Sequence, residues 1–267
     1  MTLLSPAGKV PAVVSKTKSG GQSGSFVEAA RRAQIVQCAI DAIATGGYAQ
    51  ASLAQIAQRA GISKGVISYH FAGKDELIEQ VFAEVMGQVV KAVLPEVERA
   101  PRATDKLRLY IEGSIEFMRT HPAHTISLLE IWNGYRKADG KPGFDATSYE
   151  PGISFLESIF RQGQAEGEFR RFATRPAAVT LRSAIDGVLV QYATYGDKVD
   201  LKENCRELVT LFEFGLGARD VEGTAKGRKA AEKTVSPRKA TASQASERKA
   251  PARPAAPARS GASKRSR

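Results

Sequence analysis

The residues whose types and spacing could do chemistry lie close together, in the stretch Ala51–His70, ASLAQIAQRAGISKGVISYH. Lys64 with Ser68, and Gly65 with Tyr69, are i, i+4 pairs one position apart, so on a helix they share a face. The Lys64 ammonium can reach a guanine edge or a phosphate, and the Ser68 and Tyr69 hydroxyls can bond phosphate or base edges. Gly65 has no side chain, which lets the backbone come close to a duplex. This is the chemistry of reading DNA, not of catalysis. His70 turns away from that face on a helical wheel, and Phe71 reads as core.

Such a face must be held at a fixed angle. The stretch predicts a short helix, a Gly-containing turn at Gly61 and a second short helix, at helix-turn-helix spacing. Leu53, Ile56 and Ala57 on the first helix, with Ile62 and Ile67 in the turn and the second, pack inward and set that angle. Ser52 and Ser63 stand where caps begin the two helices. Upstream, Phe26, Ala29, Ala33, Val36, Ile40 and Ile43 recur at steps of three and four and predict a first helix that ends at Gly46 and Gly47. Downstream, Gly73 followed by Lys74, Asp75 and Glu76 opens a fourth.

Beyond it, Pro95, Pro101, Pro122, Pro151 and Pro176 punctuate amphipathic segments. Helices are expected near 75–94, 103–119, 123–137, 152–166, 175–195 and 201–217, with one long loop over Lys137–Glu150. No segment alternates strictly, so a sheet is not expected. The expected fold is all-α, about nine helices. Four parts follow: an N-terminal extension over 1–24; a helix-turn-helix DNA-binding domain over 25–73 with its motif at 51–70; a second helical domain over 74–218; and a basic tail over 219–267.

Charge is distributed unevenly. The 267-residue chain carries +11, yet Val221–Arg267 holds thirteen Lys/Arg against three Asp/Glu, and Met1–Gly24 holds three Lys and no acid. The body between is close to neutral, with 23 basic and 25 acidic residues. The tail has no Ile, Leu, Met, Phe, Trp or Tyr, so it is expected to stay unfolded and to attract polyanions without reading sequence. No run approaches 18 apolar residues and no secretory signal opens the chain, which places the expected location in the cytoplasm, at the nucleoid, with no membrane partner. Two cysteines, Cys38 and Cys205, lack CxxC spacing, and inert reduced thiols are expected. GxxxxGK[ST], GxGxxG and HExxH do not occur. His121 and His124 lie at i, i+3, but Pro122 disturbs the turn and no third ligand is evident. No catalytic residue, metal or cofactor is therefore assigned.

The order of features in Ser52–Leu77, SLAQIAQRAGISKGVISYHFAGKDEL, resembles the TetR (tetracycline-repressor-like) family of transcriptional regulators. The match consists of a polar-capped short helix, Ala-Gly-apolar-Ser, a recognition helix, an aromatic pair ending in Phe, and Lys-acid-acid-Leu opening the next helix. It covers about Arg31–Val85 closely and the rest of the body only in helix number and length. The resemblance implies that Lys64, Gly65, Val66, Ser68, Tyr69 and His70 occupy DNA-facing positions. It also implies that Lys74 binds a phosphate and that Ser52 and Arg31 or Arg32 touch the DNA backbone. Ser68 and His70 stand where many members carry Tyr, and Gly73 where many carry a Ser or Asn cap.

The second half offers a container for something apolar. Phe117, Leu128, Ile131, Trp132, Tyr135, Phe155, Ile185 and Leu189 are its candidate lining, with Trp132 and Tyr135 favoured for their hydrogen-bonding tips. Family resemblance implies a small-molecule effector that moves the fourth helix. It also implies a homodimer through 175–195 and 201–217, and here Ala184, Ile185, Val188 and Tyr192, and Leu208, Leu211, Phe212 and Gly215, repeat at helical spacing. The expected function is a dimeric repressor of a palindromic double-stranded operator. A nucleoid or chromosome-organising protein on the same fold, relying on the basic tail and no ligand, is the alternative.

Overall fold

Residues 22–218 are described by the computed structural model. The tail expected over 219–267, and all but the last three residues of the extension expected over 1–24, lie outside them.

Helix α1 spans Gln22–Gly46 and buries Ile35, Val36, Ala39, Ile40 and Ile43 along one stripe; of the six residues expected there Val36, Ile40 and Ile43 are buried, whereas Phe26, Ala29 and Ala33 are exposed, because the apolar cluster that covers the helix starts only at Ile35. It stops where Gly47 turns to φ 79°, a backbone state that glycine alone adopts without a Cβ penalty. Helix α2, Leu53–Arg59, starts from a capping box: the Ser52 hydroxyl accepts from Gln55 N, and the Gln55 side chain accepts from Ser52 N. Gly61, at φ 65°, makes the turn into α3, Lys64–His70, which Ser63 caps by accepting from Val66 N. Helix α4, Lys74–Arg99, has no side-chain cap at Gly73. Its Glu76 carboxylate instead accepts from Ala72 N at 2.6 Å, and Asp75 and Glu76 complement the helix dipole.

The remaining helices are α5 (Ala103–Thr120), α6 (Pro122–Gly134), α7 (Ala146–Ala165), α8 (Thr174–Tyr195) and α9 (Leu201–Leu216), with a 3-10 turn at Gly196–Lys198. Among the described residues the architecture is all-α, with β-pairing reduced to the isolated bridges Arg136↔Pro142 and Phe169↔Gly217. None of these helices is long and apolar enough to cross a membrane.

Three expected boundaries move. Helix α4 runs on past Pro95 to Arg99, because Val97 in its last turn is fully buried and that packing outweighs the one hydrogen bond that proline removes. Helix α7 begins at Ala146, not 152, with Pro151 inside it. Asp145 provides the start by accepting from Thr147 N at 2.9 Å. Helix α6 ends at Gly134, not 137, since the chain turns into a tight loop closed by Lys137 N→Lys141 O and Gly143 N→Tyr135 O. The loop expected over 137–150 is shortened accordingly.

Apolar side chains collect in two clusters. One joins α1, α2 and α3 to Leu77, Ile78, Val81 and Val85 of α4 and to Ile131 and Tyr135 at the end of α6. The other gathers α5, α7, α8 and α9 around Val93 and Val97, again of α4. Helix α4 thus contributes its N-terminal half to one cluster and its C-terminal half to the other. The stripes expected to cover a partner are largely claimed from within: Ile185 and Val188 are buried, and Tyr192, Leu208 and Phe212 pack against the second cluster. Val179, Val190 and Tyr195 of α8 and Leu211 and Phe214 of α9 expose large apolar surface, Leu211 at 64% and Phe214 at 75%.

Candidate DNA-binding interface and helical cavity

The geometry of α3 follows from the single residue it buries. Ile67 is fully buried against α2, so the positions around the opposite side of the helix face outward. Lys64, Gly65, Ser68 and Tyr69 are exposed, Tyr69 at 77%. An added Cβ at Gly65 would meet nothing closer than Ser63 Oγ at 3.6 Å, so its own chain does not require glycine there. Val66 and His70 are half-buried. The His70 ring meets Tyr69 edge-on at 5.0 Å, and its Nδ1 is buried without a hydrogen-bond partner.

The other expected DNA contacts fall into two kinds. Arg31 is half-buried and donates to Gln34 at 2.6 Å within its own helix. Arg32 works inside the fold: its guanidinium donates to the His70 carbonyl, pairs with Glu76 at 3.3 Å and lies 4.2 Å over the Phe71 ring. It clamps the end of α3 between α1 and α4. Ser52 is exposed, with its hydroxyl engaged in the α2 cap. Lys74 donates to the Tyr48 carbonyl at 3.0 Å and rests 4.2 Å over the Tyr48 ring, which leaves two of its three N–H groups uncommitted. Burial lowers its pKa, opposed by Asp75.

Tyr48 opens a row of aromatic rings. It lies 6.0 Å from Tyr135, Tyr135 lies 5.6 Å from Phe144, and Phe144 stacks on Phe82 at 3.8 Å and on Trp132 at 6.4 Å. Trp132 then meets Tyr149 edge-on at 4.2 Å. The packing is close enough that a Cβ on Gly143 would fall 1.9 Å from the Tyr135 ring. The row ends on a cavity of about 90 Å³ between α4, α6, α7 and α8.

Of the eight candidate lining residues, Leu128, Trp132 and Leu189 are on its wall. Phe117, Ile131, Tyr135, Phe155 and Ile185 are not. Ile131 and Ile185 are fully buried in the clusters, and Phe117 stacks on His121 at 4.5 Å. Phe155 packs beside Tyr110. Tyr135 is buried too, with its hydroxyl donating to Glu79 at 3.5 Å; burial and the carboxylates of Asp75 and Glu79 push its pKa up to about 12. Composition favours aromatic and aliphatic residues for a pocket, but the same residues make cores, and only packing separates the two.

Sequence reasoning missed the polar floor of the cavity, Arg182, Asp186, Tyr149 and Ser148. Arg182 and Asp186 stand at i, i+4 on α8, a spacing that announces an ion pair. Among the described residues no group of three or more His, Cys, Asp or Glu is placed to hold a metal ion. Both cysteines are half-buried, and burial pushes both thiols up, away from the thiolate that redox chemistry needs.

Two short helices at helix-turn-helix spacing, the second presenting Lys64, Ser68 and Tyr69 outward, define a DNA-binding protein of the helix-turn-helix class. Comparison with known proteins narrows this. The model of bacterial regulatory proteins of the tetR family matches residues 35–81. The HTH-type transcriptional regulator BetI of Cronobacter sakazakii is 30% identical over 184 residues, 68% of this chain and 88% of that protein. Among solved structures, the regulator FadR from Bacillus subtilis in complex with stearoyl-CoA is 23% identical with a TM-score of 0.60, covering 67% of this chain and 96% of that one. AibR in complex with isovaleryl coenzyme A and operator DNA is 18% identical with a TM-score of 0.57, covering 68% and 97%. The chain belongs to the TetR family; it is a DNA-binding transcriptional regulator and not an enzyme.

Proposed function

We propose that the protein is a dimeric repressor that binds a palindromic operator through α3 and is released from it by a small-molecule effector bound between the helices. The observation that carries this reading is the outward face of α3: Lys64, Ser68 and Tyr69 are exposed together beside an uncrowded Gly65. Two such helices in a twofold dimer reach successive major grooves about 34–36 Å apart. Lys64 and Tyr69 read base edges or phosphate, and Lys74 and Arg31 contact the DNA backbone. Arg32 positions α3 and does not touch DNA. Val179, Val190 and Leu211 supply apolar surface for the dimer, and operator binding keeps the protein at the nucleoid in the cytoplasm.

Effector release is supported by the FadR and AibR structures, which are complexes with stearoyl-CoA and isovaleryl coenzyme A, and by the aromatic row from the cavity to Lys74. Occupancy of the cavity displaces Trp132 and Phe144, and Tyr135 and Tyr48 pass the displacement to the start of α4.

Selection of genomic DNA fragments by the purified protein at physiological salt, compared with a 1–220 truncation, tests the reading. A short palindrome enriched by both chains is expected. Diffuse enrichment lost with the basic tail overturns it and favours a chromosome-organising protein, the reading that the thirteen Lys/Arg of Val221–Arg267 would support.

A further inference from the structure

Tyr48 lies in the connection between α1 and α2, and both of its backbone polar groups are bonded to side chains from other helices. Its N–H donates to the Glu130 carboxylate of α6 at 3.2 Å, and its carbonyl accepts from Lys74 of α4 at 3.0 Å. The ring is held by the same elements. Lys74 Nζ sits 4.2 Å over it, Tyr135 at the end of α6 lies 6.0 Å away, and a Cβ added to Gly134 would fall 2.7 Å from it.

A carboxylate that accepts from a backbone N–H makes a charge-assisted bond, about twice as strong as a neutral one. Gly47 leaves room for it: its φ is 79°, and an added Cβ would crowd Glu130 Oε2 at 3.2 Å. On α6, Glu130 follows Leu129 and precedes Trp132, both of which line the cavity. The helix that walls the cavity therefore carries the group that holds the Tyr48 backbone.

Lys74 depends on that hold. One of its three N–H groups is spent on the Tyr48 carbonyl, and the Tyr48 ring attracts its charge from below. A shift of Tyr48 removes both supports together. The four-carbon stem then regains its rotamer freedom, and a phosphate contact must bear the cost of ordering it again.

We infer that Glu130 is a positioning residue for DNA binding: through the Tyr48 backbone it fixes Lys74, and it does not touch DNA itself. This rests on the contact between Lys74 and the DNA backbone proposed above, and it names the group on α6 that maintains that contact.

Electrostatics sets the sign of the test. Removing a carboxylate makes the protein more positive, which by itself strengthens its attraction to DNA; loss of positioning weakens it. Full-length variants are titrated, across a range of salt concentrations, with a duplex carrying the palindrome recovered from the genomic selection and with a random-sequence duplex of the same length. Lys74→Met is expected to flatten the plot of log affinity against log salt by about 0.9 for each subunit bound, an about three- to fourfold smaller loss of affinity between about 50 and 200 mM salt. Glu130→Ala is expected to weaken binding and to flatten the plot at least half as far, and the double variant to flatten it no further than Lys74→Met alone. Glu130→Gln, whose amide oxygen still accepts from Tyr48 N–H, is expected to keep the unaltered slope. Glu130→Asp keeps the charge but ends one methylene short of Tyr48. It is expected to behave as Glu130→Ala does, and it decides alone if the alanine variant does not fold.

A purely structural bond would lower the melting temperature and leave the salt slope alone. An unchanged slope or tighter binding in Glu130→Ala, while Lys74→Met flattens the plot, thus overturns the positioning role and leaves the Lys74 contact standing. A flattened slope in Glu130→Gln, or a double variant flatter than Lys74→Met, overturns it as well. A slope untouched by Lys74→Met removes the phosphate contact and the role of Glu130 with it, while the palindrome from the selection still judges α3. If no palindrome is recovered, the random duplex decides, because a phosphate contact carries no sequence information.

Discussion

Tyr69 has little to do for the fold. It is 77% exposed, so replacing it removes almost no buried surface, and its hydroxyl and ring lie on the outward face of α3 that we propose meets base edges. Tyr69→Ala is expected to leave the melting temperature unchanged and to weaken specific operator binding by about 1 to 3 kcal/mol, as read from paired thermal melts and binding titrations. Gly65 provides a sharper test. With only Ser63 Oγ at 3.6 Å from an added Cβ, Gly65→Ala is expected to be tolerated and to stabilise α3 by about 0.5 to 1 kcal/mol. If close approach of backbone to DNA is what glycine supplies, the same variant binds its operator more weakly. A variant both more stable and equally tight removes Gly65 from the interface.

Elements are held by contacts that cross long sequence distances. Helix α5 has no cap from its own neighbours at Arg102. Its first N–H groups, from Ala103 and Thr104, donate instead to Glu168 at 3.1 and 3.0 Å, and the Thr104 hydroxyl donates to it at 2.6 Å. Burial raises the pKa of Glu168, but these bonds, together with Arg102, outweigh burial and hold it below the usual carboxylate value. A depressed folded pKa contributes stability that is present above the unfolded value, near 4.5, and is lost as pH falls through the folded one. Glu168→Gln is therefore expected to lower the melting temperature at pH 7 and to narrow its deficit as the pH is brought down through about 4. A deficit independent of pH counts against the charged cap.

The same contrast of short and long range explains what was legible in advance. Helices α2 and α3 and the turn between them are written in local chemistry, with Ser52 and Ser63 as caps and Gly61 at positive φ, so order and spacing sufficed. Glu168 capping a helix 65 residues upstream has no local signature. Nor does the division of labour between Arg31 and Arg32, adjacent in sequence but separated by which of them meets the His70 carbonyl. Proline by itself signals a stop at Pro95 and Pro151, but burial of flanking residues carries the helix through. In the cavity, aromatic composition pointed to Trp132 but also to Ile131 and Ile185, because core and pocket draw on one vocabulary.

At the scale of the whole molecule, α4 sets the mechanical character of the protein. Leu77, Ile78, Val81 and Val85 pack with α1, α2 and α3, and Val93 and Val97 pack with α5, α7, α8 and α9. Neither cluster keeps its share of buried surface if α4 is lost, so calorimetry is expected to record one cooperative transition for the folded body, with calorimetric and van't Hoff enthalpies equal. Two separable transitions would show that the halves stand alone.

That arrangement also bears on slow fluctuations. Leu107 is fully buried in the distal cluster and Ile67 in the proximal one, and α4 contributes to both. The amide protons of α3 and of α5 are therefore expected to exchange with solvent water at one common rate set by global opening.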